Sequence, residues 1–205
     1  MSANFPRKLG RGAIAFTLLA STSACNLQER LATPACSTPE FFESVNPQEK
    51  LTNQSKLTVD AIGPIKVGMS VAEASKAAGT PLVLVGGGQP NPGGSSYTVK
   101  PVGSTKEVLL LVVFDQVARV DIGDRQITTR CGAKFGDTEA RIKALYPDIK
   151  VTPHKYLYAE GWHYLTLVPK DSSYSNYRIV FETDGKNVTG LRSGRIPEVE
   201  YVEGG

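Results

Sequence analysis

One short stretch of this chain occurs twice. Ile65-Lys66-Val67-Gly68-Met69-Ser70 is echoed 68 positions later by Ala133-Lys134-Phe135-Gly136-Asp137-Thr138. The same offset separates Thr98-Val99-Lys100-Pro101 from Thr166-Leu167-Val168-Pro169. With a one-residue slip it also relates Val112-Val113-Phe114-Asp115 to Ile179-Val180-Phe181-Glu182. A constant offset over three separate blocks predicts a tandem duplication. Around each copy the pattern predicts one helix followed by hairpin-connected strands, and hairpin connections rule against a parallel sheet. The predicted fold class is therefore α+β, a tandem repeat of a helix followed by an antiparallel β-meander. Repeat one is predicted over 57–129 and repeat two over 130–203. Units of about 70 residues are marginal alone, so the two are expected to form one compact body.

Local signals set the expected elements. Ser70 is a good N-cap, and Glu73 completes a capping box for a helix over Val71–Ala78. Gly79 suits its C-terminal cap and Pro81 prevents continuation. Strands are predicted near Ser96–Pro101, Val108–Phe114 and Ala118–Ile122. In the second copy Asp137 or Thr138 caps a helix that Pro147 stops. Strands then follow near Lys150–Leu157, Trp162–Pro169, Tyr177–Thr183 and Val188–Gly194. Asp184-Gly185-Lys186-Asn187 reads as a hairpin turn.

The N-terminus reads as an export signal over 1–24. Arg7, Lys8 and Arg11 form a positive start, Ala13–Ala20 a short apolar run, and Ala20–Ala24 a small-residue cleavage site. The apolar run is too short for a stable bilayer span. Thr22-Ser23-Ala24-Cys25 resembles a lipobox, with Thr22 where Leu is usual. Cys25 is then either the lipidated first mature residue or an ordinary thiol. The chain has three cysteines. If Cys25 is lipidated, Cys36 and Cys131 remain as an even pair, either disulfide-bonded outside the cytoplasm or free and buried. Residues 25–56 are expected to be a tether and lead-in, with one helical turn at Pro39–Val45. The net charge of +3 equals the three basic residues of the signal, so the mature chain is formally neutral. No basic stripe remains for a nucleic-acid partner.

The helix signature Val67-Gly68-Met69-Ser70-x-x-Glu73-Ala74 with Gly79-Thr80-Pro81-Leu82 resembles that of the SmpA/OmlA-type outer-membrane-assembly lipoproteins. Leu110–Asp115 followed by Val117–Asp121 is similar to that family's terminal hairpin. The duplicated unit resembles the beta-lactamase inhibitor protein fold, and the whole chain an uncharacterised cyanobacterial-type exported lipoprotein family. These resemblances imply an exported, non-enzymatic protein acting through a sheet surface. They cover repeat one well and repeat two loosely, where Arg141 replaces the capping acid and Tyr146-Pro147 the Gly-Thr-Pro ending. The shared residues are turn and cap positions, which identify a scaffold rather than a chemistry.

Residues able to carry chemistry cluster at 153–164, which holds both histidines, the single tryptophan and three of the eight tyrosines. With a two-residue loop, His163 pairs with Tyr156 and shares a face with His154. With a three-residue loop, it pairs with Leu157 and the histidines face apart. Only the first allows a shared metal, with Glu160 or a distant acid as third ligand. Tyr156, Tyr158, Trp162 and Tyr164 alternate and are expected to form an amphipathic binding patch or to fill the core. Gly86-Gly87-Gly88 lacks the Lys-Ser/Thr of a phosphate loop. Arg119, Arg192 and Arg195 are expected on sheet faces, paired with acids such as Glu182 and Glu198. No Gly-x-Ser-x-Gly elbow exists, and Cys131 has no catalytic setting. The expectation is a non-catalytic periplasmic or outer-membrane-anchored binding module with no cofactor, held to the membrane by a lipid and meeting a protein partner of the envelope. A His-centred metal-dependent binder or enzyme, and a secreted enzyme inhibitor, are the alternatives.

Overall fold

Apolar and alternating runs make this chain fold chiefly as strands. The structure is a computed structural model that describes residues 35–36, 50–86, 96–103, 107–156 and 161–202. The predicted signal, Cys25 and the turn at Pro39–Val45 lie outside the described residues. In chain order come β1 (Lys56–Leu57), β2 (Ala61–Ile62), β3 (Ile65–Lys66), α1 (Val71–Ala78) and β4 (Leu82–Leu84). They are followed by β5 (Ser96–Pro101), β6 (Val108–Val113), β7 (Gln116–Ile122) and β8 (Thr128–Thr129). The remainder comprises α2 (Glu139–Leu145), β9 (Lys150–Pro153), β10 (His163–Leu167), β11 (Tyr177–Thr183) and β12 (Val188–Arg195).

The expected α+β class of helix-plus-meander tandem repeats is overturned by this architecture, which is mostly β. Two helices of 8 and 7 residues stand against twelve strands among the described residues. Beside the short strand that the alternation of Leu57-Thr58-Val59-Asp60 suggests, β2, β3 and β8 complete a second sheet ordered β3-β2-β1-β8. In it β1 pairs parallel with β8, Lys56 beside Thr128, so the lead-in is woven into the body. The helices stay short because their ends are stopped locally. Gly79 caps α1 in the left-handed region at φ +70°, and Pro147 follows the Tyr146 cap of α2. The remaining chain has only strand-length apolar runs to bury.

The large sheet runs β4-β5-β6-β7-β12-β11-β10-β9, and every neighbouring pair is antiparallel. Its centre is the β7–β12 pair, where Gly194 lies opposite Arg119. A Cβ on Gly194 would run into the Ala118 carbonyl and the Arg119 backbone, so the two strands approach as closely as they do only with glycine there. Its borders are β4, three residues long, and β9, four exposed residues ending in Pro153.

One face of the sheet carries the core. Leu110, Val112, Val120, Leu165, Ile179, Phe181 and Leu191 pack there with Ala74 and Ala78 of α1 and Ile142 and Leu145 of α2. The alanines let α1 lie close, and its Ser70–Glu73 capping box is complete. Buried Tyr146 packs its ring 5.8 Å from Phe181 and shares a 2.7 Å hydrogen bond with Thr129 Oγ1. Burial pushes its phenol up to about 12, so it stays protonated.

Two features tie the lead-in down. Leu51 is buried, and its N–H donates to the Ala78 carbonyl at 3.2 Å. Cys36 and Cys131 form a disulfide with Cα atoms 5.7 Å apart, and the Cys36 N–H donates to the Leu145 carbonyl at 2.8 Å.

The β6–β7 turn departs from expectation. The apolar run predicted a strand through Phe114, yet Phe114 and Asp115 form the turn, with φ of 50° and 61°. Two positive φ values match the twist of a two-residue hairpin but suit Asn or Gly, not a bulky ring. The Phe114 ring is 79% exposed, so burial does not offset that strain. Phe114→Asn is therefore expected to raise stability by about 1 kcal/mol, read as a higher urea midpoint at unchanged slope. An equal or lower midpoint would show that the ring contributes a contact of its own.

Candidate functional site

The face of the sheet opposite the core is polar and partly strapped over. Register places Lys150, Thr166, Val180, Arg192 and Asp121 in one row across five strands. A second row holds Thr152, Tyr164, Glu182 and Gly190. Side chains along a row stand about 4.8 Å apart, so these residues act as neighbours although they are far apart in sequence.

The C-terminal segment crosses this face. A single 3₁₀ turn at Glu198–Glu200 seats Val199 against Tyr164 and Val180. Two buried arginines hold it from below. Arg119 Nη1 donates to the carbonyls of Glu198 and Tyr201 at 3.1 and 3.2 Å, and its Nε pairs with Asp121 at 2.8 Å. Arg192 Nε donates to the Val199 carbonyl at 2.8 Å, and its Nη1 pairs with Glu182 at 3.1 Å. Lys155 Nζ reaches the Glu200 carbonyl at 2.9 Å.

The aromatic hairpin feeds the same face. Its pairing differs from both expected loops: His163 lies opposite Pro153, and the His154 N–H donates to the Trp162 carbonyl at 3.0 Å. His154 therefore faces the outer side and His163 the helix side, so the two cannot share an ion. No group of three or more His, Cys, Asp or Glu able to hold a metal occurs among the described residues. The His154 side chain is buried, stacked on Tyr164 with centroids 4.7 Å apart and edge-on to Trp162 at 5.7 Å. Its Nδ1 accepts from the Tyr156 N–H at 3.2 Å, so Nε2 carries the proton donated to Glu182 at 3.1 Å.

The expected four-residue patch is thus divided. Trp162 is exposed and Tyr156 half-buried, whereas Tyr164 is buried beneath the strap. Tyr158 lies outside the described residues. The Tyr164 hydroxyl makes no hydrogen bond of good geometry among the described residues. Burial, then the Glu182 charge, raises its pKa against a smaller opposing effect of Arg192 and the Lys155 backbone.

Beside the strap a cavity of about 360 Å³ opens between β9–β12 and Glu200. Its polar lining is Lys150, Lys155, Arg178 and Arg192 with Thr152, Thr166 and Tyr164, and its apolar wall is Val168 and Val180. Lys155 and Tyr164 belong to the 153–164 cluster, but the linear pattern does not bring Lys150 and Arg178, which fall within separate predicted strands, to the same site.

On the helix side His163 joins a different cluster. Glu139, at the start of α2, accepts from Lys143 Nζ at 2.6 Å and Thr183 Oγ1 at 2.7 Å, and contacts His163 Nδ1 at 3.1 Å. Burial pulls its carboxyl upward, but Lys143, Thr183 and His163 outweigh it and hold the pKa at about 2 against an ordinary 4.5. A carboxylate lowered by folding stabilises fully above its unfolded value and progressively less as pH falls toward its folded one. Allowing for the half-exposed Lys143, this group contributes about 2 kcal/mol near neutrality, lost between pH 4.5 and 2. Glu139→Gln should be less stable than wild type at pH 7, and the gap should close as pH falls through about 2. A gap that does not narrow over that range would assign the effect to packing instead.

No protein-family model matches the chain. No curated protein matches it either. Among solved structures, the crystal structure of the uncharacterized protein yfeY from Escherichia coli is similar at 13% identity and a TM-score of 0.45. That likeness covers 69% of this chain and 100% of the other, and at this level it carries no argument about fold or function. What the structure itself defines is a mostly β protein with a helix-covered inner face and a strapped, basic outer face.

Proposed function

We propose that the chain is an exported, lipid-anchored binding protein of the cell envelope, without catalysis of its own. The observation that carries this reading is the Cys36–Cys131 disulfide. Such bonds persist in oxidising compartments. This one also takes up both cysteines of the folded body and leaves Cys25, beside the small residues of a cleavage site, as the remaining thiol. The polar outer face, with its cavity and the exposed Trp162 beside it, is the surface such a module would present.

The non-catalytic part of the proposal rests on the two His–Glu pairs. The second ring nitrogen of His154 is occupied by the Tyr156 N–H. The engaged nitrogen of His163, Nδ1, meets Glu139 at 3.1 Å, and an arrangement in which both rings are tied to structural acids favours a binding role.

Mass spectrometry of the mature N-terminus tests the reading. A chain beginning at Cys25 with acyl groups attached is expected, recovered in the membrane fraction. A chain retaining Met1, or a cytoplasmic protein with Cys36 and Cys131 reduced, would overturn it.

A further inference from the structure

We propose that the basic cavity on the outer face binds a phosphomonoester, with the phosphate seated among Lys150, Lys155 and Arg178. This deepens the binding-protein reading and rests on it only for where the ligand is met. The volume of about 360 Å³ is at the small end of ligand cavities, about 300–1,000 Å³.

Charge decides the ligand class. Arg192 is matched by Glu182, so it adds little net field. Of the other three cations on the lining, the carboxylate of Glu200 offsets one, and two positive charges are left over. Lys150 is held by its backbone in the β9–β10 ladder, and its side chain has no ion-pair or hydrogen-bond partner among the described residues. Arg178 Nη1 donates to the Ser175 and Tyr177 carbonyls, which fix the guanidinium without neutralising it. A phosphomonoester carries roughly −1.5 to −2 at neutral pH, whereas a simple carboxylate would leave one charge unmatched.

The neutral lining completes the site. Thr152 and Thr166 offer hydroxyls on the floor. Tyr164 is 6% exposed, and its hydroxyl lacks a good hydrogen bond, a costly state for a buried donor that a phosphate oxygen would relieve. Val168 and Val180 supply an apolar wall for the alcohol part of the ester.

Calorimetric or NMR titration of the purified full chain, at constant ionic strength, tests this. The probes are inorganic phosphate, glycerol phosphate, a short-chain phosphatidate and acetate. Phosphate and glycerol phosphate are expected to saturate the site at least about tenfold more tightly than acetate, and Lys150→Gln and Arg178→Gln each to weaken them about tenfold. Lys150 is exposed on an edge strand, so its variant keeps the test open if Arg178→Gln fails to fold. Tighter binding of phosphatidate than of glycerol phosphate would point to a lipid headgroup, and equal binding to a soluble ester. Phosphate binding no tighter than acetate, or unchanged in folded Lys150→Gln, would overturn the proposal. Neither result bears on the mass of the mature N-terminus, so this inference and the envelope reading fail separately.

Discussion

Replacing Cys36 and Cys131 together by alanine is expected to lower stability by about 4 kcal/mol, because their bond closes a loop of 95 residues. A cross-link of that span acts chiefly on the unfolded chain, which it keeps from expanding. The native side also changes. Cys36 is anchored by its bond to the Leu145 carbonyl at the end of α2, and both cysteines pack against the core. The double variant should therefore show a lower urea midpoint, and wild type under reducing conditions should shift toward it. A midpoint within about 1 kcal/mol of wild type would mean that the arm is held by packing alone.

Arg119→Met is expected to cost about 3 kcal/mol, because it breaks an ion pair to half-buried Asp121 and leaves two covered carbonyls without their donor. The arginine is 7% exposed, and it serves Asp121 and the carbonyls of Glu198 and Tyr201 at once. Its loss leaves the acid without its partner and two strap carbonyls without donors. The damage should be local as well as global. Hydrogen exchange should accelerate at 198–201 more than at the buried centres of β6 and β11. Uniform acceleration would show that Arg119 supports the sheet rather than the strap.

Much of the local structure could be read from the chain because the signals are local. Ser70, Glu73, Gly79 and Pro81 each act within one or two turns, and α1 forms over the residues they delimit. The fold class is not legible in the chain for the opposite reason. β1, β2, β3 and β8 are two residues long and carry no measurable periodicity. The Lys56–Thr128 pairing that joins two of them spans 72 positions. The site was harder still. Its hairpin connection is longer than two or three residues, which sets His163 opposite Pro153 and His154 against Trp162. Tyr164 alternates like a surface residue and is buried only because Val199, 35 positions later, folds over it. Phe114 reads as strand by composition, and only the backbone shows it in a left-handed turn.

The borders of the large sheet limit how anything can attach to it. A partner that lengthens a sheet needs a run of free backbone groups along an edge. Here one edge is the three-residue β4, and the other is β9, which starts at Lys150 and ends at Pro153, a residue with no N–H to offer. Edges so short and so terminated resist strand addition by a partner, by a second copy or by an aggregate alike. Anything that docks on this sheet would accordingly have to meet side chains rather than a free strand edge, and a concentrated solution of the protein should stay free of fibrils.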